Sequence, residues 1–296
     1  MCPPCTVACM RFGLSLGNGG PGADPRSMAE LAALAEQSGW DGVFLEDYIV
    51  YQNQAGTPTY DPWVCLAAMA LRTQRIRIGT NVTPLPRRRV AKLAAETVTL
   101  DHLSAGRLTL GVGLGDPWDV AIAKLGERTD TRERAAMLDE GLDVLVGLWR
   151  GEPFSYHGRF FHVQDVQFLP RPVQTPRIPI WIGGQYPKPG PTRRAARWDG
   201  ACLFIPTRYS ATASEQRDWT PDEVRAVLAS VAELRPHTPL HFDMVVGGRE
   251  RQPDWEAERA LIQSLAAAGA TWWNEWIKPA DAETMRTAIA RGPLRD

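Results

Sequence analysis

The chain has 296 residues, a formal net charge of −1 and 23% charged residues. That length suits one (β/α) barrel or two smaller domains, and the near-neutral balance gives no general electrostatic case for nucleic acid or membrane binding. No apolar run reaches the roughly 20 residues that span a bilayer and the N-terminus lacks the order of a signal peptide, so a cytoplasmic protein is expected.

Residues 1–10 carry Cys2, Cys5 and Cys9 and read as a disordered extension ahead of one domain over 11–296. Cys2-x-x-Cys5 lacks the second pair that a metal site would need, while Cys65 and Cys202 sit in apolar segments as small core residues. Arg11 to Gly17 reads as the first strand. Asp24-Pro25 then opens a helix, Asp as N-cap and Pro at the first helical position, and Gly39 ends it. Gly42 to Leu45 is the second strand, followed by a long loop from Ile49 to Tyr60. Asp61-Pro62 repeats the helix start. Ile76 to Val82 is the third strand and Val90 to Leu103 its helix, closed by Ser104-Ala105-Gly106.

Arg107 to Val112 is short and apolar with little alternation, as in a strand covered on both faces. Its exit, Gly113-Leu114-Gly115, lets something flat or anionic approach the backbone. A capping box, Asp130-x-x-Glu133, starts an amphipathic helix reaching Trp149. Phe154 to Phe168 is polar and aromatic around one glycine and predicts a β-hairpin excursion. Ile180 to Ile182 is the fifth barrel strand, exiting at Gly183-Gly184, with a helix over Arg193 to Trp198. Ala201 to Ile205, Leu240 to Val246 and Thr271 to Trp276 are the last three strands. Thr220-Pro221-x-Glu223, Trp255 to Ala268 and Pro279 to Arg291 supply helices.

Eight β-then-α units without a linker imply a parallel sheet closed as a (β/α)8 TIM-type barrel, with a hairpin excursion between units four and five. A doubly wound open sheet is the alternative; Gly17-Asn18-Gly19-Gly20 is a weak dinucleotide fingerprint because Pro21 follows. In a barrel the site lies at the C-terminal strand ends. The candidates there include Asn18, Glu46, Asp47, Tyr48, Thr80, Asn81, Thr83, Gly113, Gly115, Asp116, Gly183, Gly184, Gln185, Arg208, Gly247 and Glu275. No Lys stands at a strand end except Lys278 just beyond the last, which disfavours a Schiff-base aldolase. The five His show no metal-ligand spacing and no Ser sits in a nucleophile elbow. A mouth of glycines, amides, hydroxyls and aromatics suits a protein whose cofactor carries the chemistry. Gly183-Gly184 near a helix start at Pro191-Thr192-Arg193 suits a phosphate or an ordinary glycine turn.

The order and spacing of Gly39-Trp40-Asp41-Gly42, Glu46-Asp47, Tyr60-Asp61-Pro62, Ile76-Arg77-Ile78-Gly79-Thr80, Leu100-Asp101-x-Leu103-Ser104-x-Gly106-Arg107-Leu108, Gly111-Val112-Gly113-x-Gly115, Ile180-Trp181-Ile182-Gly183-Gly184 and Ala195-Ala196-Arg197-Trp198-Asp199-Gly200 resemble the bacterial luciferase-like flavin-dependent oxidoreductases, over about Arg11 to Gly200. The resemblance implies a TIM-type barrel that binds reduced FMN or the deazaflavin coenzyme F420. It implies a bulge at Thr80-Asn81-Val82, sometimes with a cis peptide, against the ring. The exit from Gly113 through Gly115 to Asp116 would line the ring edge, and Gly183, Gly184 and Thr192 would hold the phosphate. Many members carry Asp-His after strand two, where this chain has Asp47-Tyr48.

The catalytic candidates are Asp47, Tyr48 and Glu275, the last as general acid–base or as an ion-pair partner of an Arg. Asp101, His102 and Arg107 belong to the barrel bottom as structural groups. Trp272-Trp273-x-Glu275-Trp276 alternates, so some rings point inward onto substrate or flavin and others lie under helices. The expected activity is a monooxygenase that takes reduced FMN from a separate flavin reductase and uses O2 on a small organic substrate. F420-dependent hydride transfer is the alternative, in keeping with basic residues that are nearly all Arg, and a non-catalytic flavin-binding paralogue is the third reading. A homodimer is expected, as in relatives.

Overall fold

The short apolar runs pair side by side because a strand buried on both faces satisfies its backbone only in a ladder. The strands are β1 (Arg11–Leu16), β2 (Gly42–Leu45), β3 (Arg77–Pro84), β4 (Leu108–Gly113), β5 (Pro153–His157), β6 (His162–Gln167), β7 (Ile180–Gln185), β8 (Gly200–Phe204), β9 (Asp243–Arg249) and β10 (Trp272–Ile277). Eight of them close into a barrel in the order β1-β10-β9-β8-β7-β4-β3-β2, every pairing parallel, and β5 and β6 form the antiparallel excursion. The computed structural model describes residues 10–116, 118–208, 215–235 and 241–295. Cys2, Cys5, Cys9 and Leu240 lie outside the described residues. Met10, assigned from sequence to the extension, is buried against the core.

The helices are α1 (Pro25–Gln37), α2 (Pro62–Arg72), α3 (Val90–Leu103), α4 (Ala121–Lys124), α5 (Thr131–Trp149), α6 (Pro189–Ala195), α7 (Pro221–Leu234), α8 (Trp255–Ala267) and α9 (Ala282–Ala290). The Asp-Pro starts work as their chemistry dictates. Asp24 accepts from the backbone N–H of Arg26 and Ser27, and Asp61 from those of Trp63 and Val64. Proline at the first helical position gives up only an N–H that would have no partner there. The capping box is complete at Thr220 and Glu223. At Asp130 only half forms: Glu133 turns instead to Arg128 and Arg159. α6 starts at Pro189, four residues before its predicted start, because Pro189 and Pro191 occupy the one turn where proline is tolerated. α9 starts at Ala282, after Pro279, with Asp281 as its N-cap, whose carboxylate caps the Thr284 N–H. Among the described residues no helix is long and apolar enough to cross a membrane.

The barrel bottom is sealed. Phe44, Trp181 and Trp272 pack at centroid distances of 4.9, 5.6 and 5.3 Å in tilted and edge-on pairs, all fully buried. Arg11 lies over the outer face of Trp272 at 4.6 Å, and the Trp181 indole donates to Asp243 at 3.1 Å. Arg107 ties the same end together, donating to Ser104 O, Thr73 Oγ1, Ala70 O, Thr73 O and Ile76 O. Asp101 accepts from the Val173 and Gln174 backbone and His102 bonds Arg171 O, so these residues join the α3–β4 turn to the return from the hairpin.

Candidate active site

Above the aromatic plug, at the C-terminal strand ends, lies a cavity of ≈ 890 Å³. That volume falls in the range of small-molecule and cofactor sites. Val82, Cys202 and Val245 form its apolar floor directly over the plug. Burial pushes the Cys202 thiol up to about 12, which leaves it an unreactive apolar group. The β3–β4 register slips between Thr80 and Thr83, and the Asn81–Val82 peptide is cis. This bulge turns Asn81 and Val82 into the cavity. Thr80 stays out of it, its hydroxyl donating to Gly111 O at 2.8 Å inside the sheet.

Opposite Val82 the wall must be flat. A Cβ on Gly183 would meet Val82 Cγ1 at 2.7 Å, and one on Gly113 would meet Val82 Cγ2 at 3.0 Å. Gly184 lines the cavity beside Pro191. Thr192 does not: it is buried within α6.

The acid–base groups sit where β2 empties into the mouth. Glu46 lines the cavity, and burial pushes its carboxyl up to about 7, with the Asp116 charge acting in the same direction. The Tyr51 hydroxyl and the Trp276 indole N–H face Glu46 and oppose the rise. None of these three side chains closes a hydrogen bond of good geometry. Tyr48 donates to Asp116 Oδ2, while Asp116 Oδ1 accepts from the Trp118 N–H at 2.9 Å. Burial, reinforced by the Glu46 and Asp116 charges, pushes the Tyr48 phenol far up, so it stays protonated. Asn18 holds the backbone of this loop, donating to Tyr48 O and Tyr60 O at 2.8 Å each and accepting from the Tyr48 N–H.

Asp47 faces the cavity with little left to offer it. Its carboxylate accepts from Thr83 Oγ1 at 2.9 Å, Arg87 at 2.7 Å and Arg88 at 2.6 and 2.7 Å. It is the clamp for the turn that follows β3. Glu275 points outward from β10 and is paired with Arg251 at 2.8 Å and Arg291 at 2.7 Å. Of the two roles considered for it, the ion pair is the one the geometry displays. Trp272 faces inward as part of the plug, Trp276 lines the cavity and Trp273 lies under the helices.

Sequence reasoning missed the cationic rim. Arg132 and Arg134 project from the first turn of α5, Lys188 from the β7–α6 connection and Arg194 from α6, and all four line the cavity. Arg194 is held by Asp139. The Arg134 guanidinium makes no hydrogen bond among the described residues, and burial pushes its pKa down. None of these residues stands at a strand end, so the barrel rule gave no signal for them. Asn274 and Gln216 were also missed as polar lining, while Trp276 is one of the inward rings expected of the Trp272–Trp276 run. Both amide atoms of Asn274, Gln216 Oε1 and Trp276 Nε1 are buried without a partner.

A profile of luciferase-like monooxygenases matches residues 8–233. The chain belongs to that family. This luciferase-like protein is 35% identical, over 176 residues, to a protein of Microbacterium testaceum named F420-dependent glucose-6-phosphate dehydrogenase, covering 58% of this chain and 50% of that one. It spans about half the length of the curated relatives it matches. Its barrel superposes on an F420-dependent secondary alcohol dehydrogenase in complex with an F420-acetone adduct at TM-score 0.75 and 17% identity, covering 97% and 99% of the two chains. The monooxygenase RslO1 of Streptomyces bottropensis gives TM-score 0.72 at 20% identity, covering 95% and 96%. The names of these relatives make a flavin or deazaflavin the group to test against the cavity. The cavity fits such a group: the Val82–Gly113–Gly183 wall takes a planar ring, and the unpartnered polar atoms of Asn274, Trp276 and Gln216 offer it hydrogen bonds.

Proposed function

We propose that this luciferase-like protein is an F420-dependent oxidoreductase that moves a hydride between the deazaflavin and a small hydroxyl compound. The observation that carries the reading is the place of Glu46, a carboxyl that lines the cavity at the end of β2 near Asp116 and Tyr48, where burial pushes it up to about 7. An alcohol that becomes a carbonyl loses a hydride and a proton, and a base poised near neutrality takes the proton most effectively. The names of the curated relatives favour F420 over the reduced-FMN monooxygenase that was the first expectation from sequence.

When bound, the deazaflavin supplies a two-electron hydride acceptor. Val82, Gly113 and Gly183 would hold its ring, with Asn274 and Gln216 bonding its polar edge. Arg132, Arg134 and Lys188 would hold its anionic chain. Glu46 accepts the substrate hydroxyl proton. Tyr48 keeps its proton in the hydrogen bond it donates to Asp116 and stands beside Glu46 as a neutral wall of the site. The plug and the apolar floor keep water from entering below.

Anaerobic fluorescence titration of the full chain with F420 and FMN, each oxidised and reduced, tests the reading. Tight binding of F420 and loss of coenzyme reduction in Glu46→Gln are expected. Binding of reduced FMN alone would return the assignment to the monooxygenase.

A further inference from the structure

We infer that the substrate of this site is an uncharged alcohol with an apolar body, and not a sugar phosphate; the inference rests on the F420 reading above. It parts company with the named substrate of the curated relatives, and the reason is where the charges stand. Every Lys or Arg that lines the cavity comes from α5, the β7–α6 connection or α6. β4 and β7 are neighbours in the barrel, so these cations share one sector. β1 and β10 lie directly across it.

That far sector offers Ser15 on β1 and Asn274 and Trp276 on β10, with Glu46 beside them at the end of β2. It has a carboxylate and no cation. The nearby arginines are committed elsewhere. Arg249 is held by Asp218 and Glu258, Arg251 and Arg291 by Glu275, and Arg87 and Arg88 by Asp47. Arg208 and Lys278 are exposed and outside the lining. Residues 209–214 contain neither Lys nor Arg. A phosphate placed there would face Glu46 with no counter-charge, and like charges brought together in a desolvated site are strongly disfavoured.

The mouth adds a second, independent observation. Asn53 donates to Trp118 O at 2.8 Å and accepts from the Val120 N–H at 3.0 Å, joining the loop after β2 to the loop after β4. This junction sets Ile49, Val50 and Val120 at the surface with exposures of 47%, 37% and 46%, next to the lining residues Tyr48 and Asp119. This stretch of the surface, above the ends of β2 and β4, is apolar, and Trp118 pairs with the lining residue Phe204.

The full chain is first titrated with oxidised F420, which tests the cofactor reading by itself. The loaded protein is then given cyclohexanol, 2-propanol, glucose and glucose 6-phosphate while coenzyme absorbance is followed. Binding of glucose 6-phosphate to the loaded protein is measured by calorimetry at millimolar ligand. A neutral alcohol is expected to exceed glucose 6-phosphate in kcat/KM on the order of 100-fold, with no binding heat from the phosphate. Ser15→Lys, which places a cation in the far sector, should create that binding. Comparable turnover of glucose 6-phosphate, binding of it by the loaded unaltered chain, or bleaching by none of the alcohols would overturn the inference. Failure to bind F420 would remove the cofactor reading and the inference with it, and the first titration reports that failure separately.

Discussion

Replacing Glu46 with Gln tests the electrostatics of the cavity without reference to turnover. The carboxyl has an ordinary pKa of 4.5 and is pushed to about 7 in the folded chain, chiefly by burial. Between these values the folded state holds a proton that the unfolded state has released. This contribution to stability is fully present below 4.5 and is lost as the pH rises through 7. The displacement corresponds to at most about 3 kcal/mol. Gln keeps the shape and never acquires the charge. The variant and the parent chain should therefore unfold alike near about pH 5, and the variant should be the more stable by up to about 3 kcal/mol near about pH 8, or roughly 5 °C in Tm. Urea unfolding of both proteins across this range reads the difference directly, because every other titrating group cancels. A gap that is flat with pH, or a variant less stable at the alkaline end, would refute the account of Glu46 as a carboxyl raised by its surroundings.

Asp47→Ala should lose about 3–5 kcal/mol in denaturant unfolding, because it strands the Arg87 and Arg88 guanidiniums in a buried clamp. Glu275→Gln leaves the buried Arg251 with half its partner; Tm should fall, while kcat/KM per folded molecule stays within a few fold if the residue is structural. Gly183→Ala puts a methyl group into the 2.7 Å approach to Val82, so coenzyme affinity measured by fluorescence should drop by about tenfold or more.

The barrel was legible because each strand announces itself by an apolar run and each helix by its cap. Asp24, Asp61 and Thr220 act through their own neighbours, and local chemistry of that kind is written in adjacent residues. The site was legible only as far as strand ends go. Parity along a strand holds more information than was drawn from it. If Trp272 points inward, so do Asn274 and Trp276, and Glu275 must point out. By the same alternation Phe44 in the plug puts Glu46, not Asp47, on the inner face. The lone amide in the run Trp272-Trp273-Asn274-Glu275-Trp276 was thus a signal within reach. Arg134 was not. It looks like any charge in a first helical turn, and only the closure of β4 against β7 brings α5 over the cavity. The clamp around Asp47 was likewise hidden, since its arginine partners are 40 and 41 residues away.

The aromatic plug makes the barrel a vessel with a single opening. Whatever occupies the floor must arrive before whatever sits above it, and cannot depart while the upper occupant stays. Phe44, Trp181 and Trp272 line no part of the cavity, yet they fix the direction of traffic. Everything that reaches Val82, Cys202 or Val245 enters and leaves by the C-terminal mouth, so two occupants of the same depth must share one passage, and three rings at the closed end of the sheet impose that queue.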